Sequence, residues 1–62
     1  MAWVAVENGG YEVIFDIKPT RNEYLHVWQV DIYNKAILVP KGSIKKLIGR
    51  ELTWNDEPVE LE

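Results

Sequence analysis

The fold is decided by the stretch Ala2-Trp-Val-Ala-Val-Glu7, Asn8-Gly9-Gly10, Tyr11-Glu-Val-Ile-Phe-Asp-Ile17. Both flanks are rich in β-branched and aromatic residues, and the second alternates its side chains with the period of two that is typical of a strand. The Asn-Gly-Gly between them tolerates the positive φ angles that tight hairpin turns require. The pattern predicts a β-hairpin.

The residues after this hairpin continue the strand pattern with one break. Residues 18–23 are predicted to form a polar loop, because Pro19 has no backbone N–H to donate to a strand ladder. Residues 24–33 return to the period of two, and the short apolar run 36–39 follows them. A second hairpin is therefore expected between these two segments.

A short helical turn is predicted over residues 43–48, after a Pro-Lys-Gly break. Ser43 is a suitable N-cap, and Gly49 suits the position after the helix. A helix this short is not stable alone, so its apolar face must be buried on the sheet. That face consists of Ile44, Leu47 and Ile48.

Together the elements predict a mainly β protein with a single domain over residues 1–62. Residues 51–54 alternate again, and residues 58–62 are expected to be a terminal edge strand. We expect a small, strongly bent antiparallel sheet or an SH3-like barrel, with one helical turn near residues 43–48. The barrel is preferred because closure removes exposed edges; an open sheet is the alternative and would be expected to dimerise.

Composition excludes several functional classes. The 62 residues include no cysteine, which excludes disulfides, thiolate nucleophiles and thiolate metal sites. His26 is the only histidine, so the chain lacks the three or four histidine or cysteine ligands of a zinc site. No sequence motif indicates a nucleophile that would act with it. No basic leader or membrane-length apolar segment is present. We expect a complete cytoplasmic protein that is not an enzyme and uses no cofactor or metal.

The C-terminal half carries a family resemblance. Residues 40–49, Leu52-Thr53-Trp54 and residues 56–61 resemble short hypothetical proteins encoded by phages and prophages of gut bacteria. The N-terminal Trp-Val-Ala and the Lys-Pro-Thr-Arg of residues 18–21 extend the similarity, whereas roughly residues 23–36 lie outside it. The family has no assigned activity, so the resemblance implies no site residue. It implies a phage-related accessory protein made inside a bacterial host.

Charge is segregated at the C-terminal end. Residues 41–50 contain four basic residues and no acidic one, whereas residues 51–62 contain five acidic residues and no basic one. The basic residues are Lys41, Lys45, Lys46 and Arg50. Such a segment can bind nucleic acid, but a lysine-rich outer face is also common on short amphipathic helices. A basic face clear of acids would favour nucleic acid, and an interleaved one would favour protein contact.

Three tryptophans are more than a core of this size needs. One is expected to remain on the surface as a binding anchor, because Trp and Tyr dominate interface hot spots. Trp28 and Tyr24 are the first candidates, since they share a mixed strand face with His26. The favoured function is a protein-binding or self-associating β module whose partner is another protein or a second copy. The alternative is a small nucleic-acid-binding β-barrel that uses residues 41–50.

Overall fold

The computed structural model describes all residues from Met1 to Glu62 as two antiparallel sheets and one short helix. Its elements are β1 (Trp3–Val6), β2 (Glu12–Phe15), β3 (Thr20–Asn22), β4 (Val27–Gln29), β5 (Ala36–Val39), α1 (Ser43–Ile48) and β6 (Val59–Glu60). The larger sheet has the order β5-β2-β1-β6, and β3 pairs only with β4. The mainly β class is confirmed.

Neither sheet closes, so the preferred SH3-like barrel is wrong and the open form is correct. The physical reason is the position of the β3–β4 hairpin. It packs over one face of the larger sheet through Trp28 and extends neither of its edges. Strands β5 and β6 are therefore left as unpaired edges at opposite ends of four strands.

The predicted first hairpin is confirmed. Strands β1 and β2 pair with Trp3 opposite Phe15, and the ladder continues into the turn. There the Glu7 amide donates to the Tyr11 carbonyl at 2.8 Å. Gly10 has a φ of +89°, a conformation that the missing Cβ allows.

Both faces of the larger sheet are covered, so β1 is buried from two sides. One face holds the cluster Val4, Val6, Ile44 and Leu52. The opposite face holds the cluster Ala5, Val13, Phe15 and Trp28. The continuous apolar sequence of β1 follows from this position between two layers.

The second predicted hairpin is wrong in its first strand and in its pairing, whereas its second strand, 36–39, is confirmed as β5. Strand β3 lies inside the predicted loop 18–23, and β4 occupies only three residues of the predicted strand 24–33. A tight turn interrupts that strand: the Leu25 amide donates to Asn22 Oδ1 at 2.9 Å, and His26 has a φ of +57°. Strand β5 pairs with β2 and not with the 24–33 segment.

The helix at 43–48 is confirmed, but its cap differs from the expectation. Gly42 is the N-cap, and the Ser43 hydroxyl donates back to the Pro40 carbonyl at 2.6 Å. The first free amides of the helix donate to Glu12 of β2, from Gly42 and from Ile44, each at 2.8 Å. A carboxylate from the sheet thus caps the helix and ties it to β2.

The expected burial of Leu47 is wrong. Ile44 is 1% exposed, whereas Leu47 is 51% exposed and Ile48 is half-buried. At 3.6 residues per turn, Ile48 lies about 40° around the axis from Ile44 and Leu47 about 60° on the other side. The helix therefore rests on the sheet through Ile44 and Ile48, and Leu47 lies beside this contact, where solvent reaches it.

The C-terminal segment is less extended than predicted. Residues 51–54 form no strand, because Asp56 closes a turn by accepting the Thr53 amide at 2.7 Å and donating its own amide to the Thr53 carbonyl. The terminal strand is confirmed over two residues, where Val59 lies opposite Val4. The structure contains no helix with the length and apolar character needed to cross a membrane.

Candidate functional site

The two aromatic candidates have opposite environments. Tyr24 is 92% exposed in the turn between β3 and β4, so it is free to contact a partner. Trp28 is only 7% exposed, and its Nε1 donates to the Val6 carbonyl at 2.8 Å. The expectation that Trp28 is a surface anchor is wrong, because its ring covers the sheet and its N–H is satisfied internally.

Arg21, which the sequence did not nominate, holds the aromatic layer together. Its guanidinium lies 4.4 Å from the Trp28 ring and 4.6 Å from the Trp54 ring. It also donates to the carbonyls of Trp54 and Asp56. The two indoles meet edge to face, with their ring centroids 5.3 Å apart. Arg21 of the same chain therefore already occupies the cation-binding faces of these rings.

The four basic residues of 41–50 are all exposed, and the one salt bridge of the structure joins Arg21 to Glu57 elsewhere. Acidic side chains from other elements lie beside one of them, Lys41. An open pocket of about 460 Å³ is lined by Lys41 together with Glu7, Glu12 and Glu51, among other residues. At Lys41 the basic segment is therefore interleaved with acids, the arrangement that favours protein contact.

Two exposed large apolar side chains are neighbours on the edge strand β5. None of its four residues is charged, and Ile37 and Leu38 are 61% and 64% exposed. Ile37 lies opposite Ile14 and Leu38 opposite Val13, on alternate faces of the sheet. The strand therefore presents an uncovered apolar side chain to each face.

The backbone of β5 also has free hydrogen-bonding groups. The register continues to the pair Asp16–Lys35, where the Asp16 amide donates to the Lys35 carbonyl at 3.1 Å. In an antiparallel ladder, residues that bond to the partner alternate with residues that point away from it. The backbone groups of Ile37 and Val39 thus bond to β2. The amides and carbonyls of Ala36 and Leu38 point the other way, into the solvent beside the open edge of the sheet.

No family model, curated protein or solved structure matches this chain. The candidate site therefore rests on the chain's own geometry, which places apolar side chains and unpaired backbone groups on one strand. Sequence reasoning missed this site, since an apolar run such as 36–39 is also typical of a buried strand.

Proposed function

We propose that this chain is a small non-enzymatic β module that binds a protein strand, from another protein or a second copy, along β5. The observation that carries the proposal is the open edge: two outward-pointing backbone residues between apolar side chains on both faces. An unpaired edge of this kind is a template for strand addition. Main-chain hydrogen bonds supply affinity, and Ile37 and Leu38 supply apolar contact.

The non-enzymatic part is supported by what the carboxylates do. Glu12 caps the helix, Asp16 accepts the Lys35 amide at 3.0 Å, and Asp56 accepts the Thr53 amide. Each is used to hold backbone in place, on a surface and not in a deep cleft. A catalytic acid–base pair built from these carboxylates would have to break their hydrogen bonds to the backbone.

The biological setting is part of the proposal and rests on the sequence resemblance alone. That resemblance, centred on residues 40–61, favours an accessory protein of phage or prophage type acting in the cytoplasm of a bacterial host. A short edge-binding module is compatible with such a role, because it needs only a partner strand and no active site.

Nucleic-acid binding through Lys41, Lys45, Lys46 and Arg50 is the alternative, and the exposure of all four favours it. Glu12 weighs against it, because its carboxylate takes the helix amides beside Lys41 that would otherwise attract a phosphate. A titration with single-stranded DNA at about 50 mM salt discriminates between the two functions, because binding to phosphates is stronger at low salt than at high salt.

Capture from a bacterial lysate with three immobilised proteins tests the edge. The baits are the wild type, Leu38→Lys at the edge, and Ile32→Lys, which adds the same charge at a side chain that is 88% exposed outside β5. We expect partner proteins, or the soluble chain itself added as prey, to be retained by the wild type and by Ile32→Lys and lost with Leu38→Lys. Equal retention by all three baits would contradict binding at β5.

A further inference from the structure

We propose that the strand bound by β5 is β5 of a second copy, so that two four-stranded sheets join into one antiparallel sheet about a twofold axis at Ile37. This inference rests on the proposed function and specifies its partner. It follows from which backbone groups of β5 are free, from the side chains beside them, and from the protection of the other edge.

The backbone fixes the register. A twofold axis perpendicular to a sheet keeps each face continuous, so opposed residues must lie on the same face. Pairing Ala36 with Leu38 of the second copy, and Leu38 with its Ala36, satisfies every outward amide and carbonyl of both residues through four hydrogen bonds.

The two neighbouring registers satisfy fewer groups. A register centred on Leu38 sets Ala36 against Pro40, which has no N–H to donate. A register centred on Ala36 sets Leu38 against Asn34, whose amide already donates to the Asp31 carbonyl at 3.0 Å. In both cases a carbonyl of the edge is left without a donor. The register centred on Ile37 is therefore preferred.

The side chains suit the same register. Ile37 meets its own copy on the axis in a non-hydrogen-bonded pair, in which opposed side chains approach most closely. Leu38 lies against Ala36 on the other face, a large side chain opposite a small one. The exposed side chains of Ile37 and Leu38 thus contact β5 of the second copy, and neither of the two strands carries a charge.

The opposite edge explains why association would stop at two copies. The Leu61 amide donates to the Ala2 carbonyl, so Val59 and Leu61 bond inward and the outward positions are Pro58 and Glu60. Pro58 has no N–H, and Glu60 is charged and exposed. Edge-to-edge growth into a fibre needs both edges, and only β5 is open.

The contact area of this pairing is small. A four-residue edge lies at the small end of interfaces, below about 1,200 Å² in total, where association is weak. We therefore expect a dimer that forms at tens to hundreds of micromolar.

Cysteine cross-linking tests the register. The chain has no cysteine, so a single introduced thiol can form a disulfide only between copies. Cα atoms of a non-hydrogen-bonded pair are about 4.5 Å apart, within disulfide range. In a glutathione buffer at about 100 μM protein, we expect Ile37→Cys to form dimers at least about tenfold faster than Leu38→Cys or the exposed control Tyr24→Cys.

The outcomes separate this inference from the proposed function. Sedimentation equilibrium should show a wild-type dimer and at least about tenfold weaker association for Leu38→Lys. A wild type that stays monomeric at about 1 mM, or Ile37→Cys cross-linking no faster than the controls, overturns the self-pairing. If edge-dependent capture of a foreign protein persists in that case, the proposed function stands without this inference. If such capture is also absent, both fall.

Discussion

The two edge strands of the larger sheet occupy equivalent positions but are protected very differently. Strand β6 has two residues, and the outward positions at this edge are the charged Glu60 and Pro58, which directly precedes the strand. Strand β5 has four uncharged residues, and both of its outward positions carry free amides and carbonyls. Short length, proline and charge are the devices by which proteins block edge pairing. The β6 edge combines all three, whereas β5 is twice as long, has no charge and meets a proline, Pro40, only beyond its end, so openness at β5 is a local feature and not a consequence of small size.

The largest expected effect concerns the helix that covers one face of the larger sheet. Ile44→Ala deletes the most buried helix side chain and should lower the free energy of unfolding by about 2–5 kcal/mol. Leu47→Ala, on the same helix but half exposed, should cost less than about 1 kcal/mol. Urea unfolding followed by tryptophan fluorescence measures both. Equal losses would mean that the helix does not rest on the sheet through Ile44.

The next effect concerns the layer that covers the Leu38 face. Arg21→Ala removes the cation between two indoles and its bonds to two carbonyls, and should cost about 2–3 kcal/mol. Lys18→Ala is the matched control, because Lys18 is exposed and contacts one ring, Trp3, at 5.4 Å. Its loss should stay within about 0.5 kcal/mol. Comparable melting curves for the two variants would refute the role given to Arg21.

A third change gives β6 the character of β5. Replacing Pro58 and Glu60 together by valine restores an amide and removes a charge from the protected edge. Light scattering should then show species larger than a dimer. Adding Leu38→Lys to that variant should remove those species, since growth needs both edges. A double variant that keeps the wild-type mass would show that β6 is not held back by these two residues.

The smallest expected effect is that of salt. Each copy carries a net charge of −3, so screening should strengthen self-association by roughly two- to threefold between 50 and 500 mM salt. Binding to phosphates through residues 41–50 would weaken over the same range. Sedimentation and single-stranded DNA titration at both concentrations distinguish the two behaviours. Association that weakens steeply with salt would favour the nucleic-acid alternative.

Sequence patterns were sufficient where structure is local. The β1–β2 hairpin depends on neighbouring residues and a three-residue turn signal, and the helix depends on one apolar face and a terminal glycine. The prediction of a strand over 24–33 is wrong because a turn, made by the Asn22 side-chain bond and the left-handed His26, interrupts the backbone there. Neither feature is visible in the alternation of apolar residues on which the prediction relied.

The candidate site was harder to predict because it depends on non-local pairing. An apolar run such as β5 is buried in the centre of a sheet and exposed at its edge, and only the partner strand decides which. Trp28 was misjudged for the same reason. Its ring is buried because it packs on Ala5, Val13 and Phe15 of the larger sheet, where the Val6 carbonyl, 22 residues earlier, accepts its N–H.

Amide hydrogen exchange across β5 tests the central claim most directly. Ile37 and Val39 bond to β2, so their amides should be protected in both dilute and concentrated protein. The amides of Ala36 and Leu38 should exchange freely at about 20 μM and become protected at about 1 mM, as the edges pair. Protection of Ala36 and Leu38 in dilute protein, or free exchange at both concentrations, would contradict an open edge that pairs with its own copy.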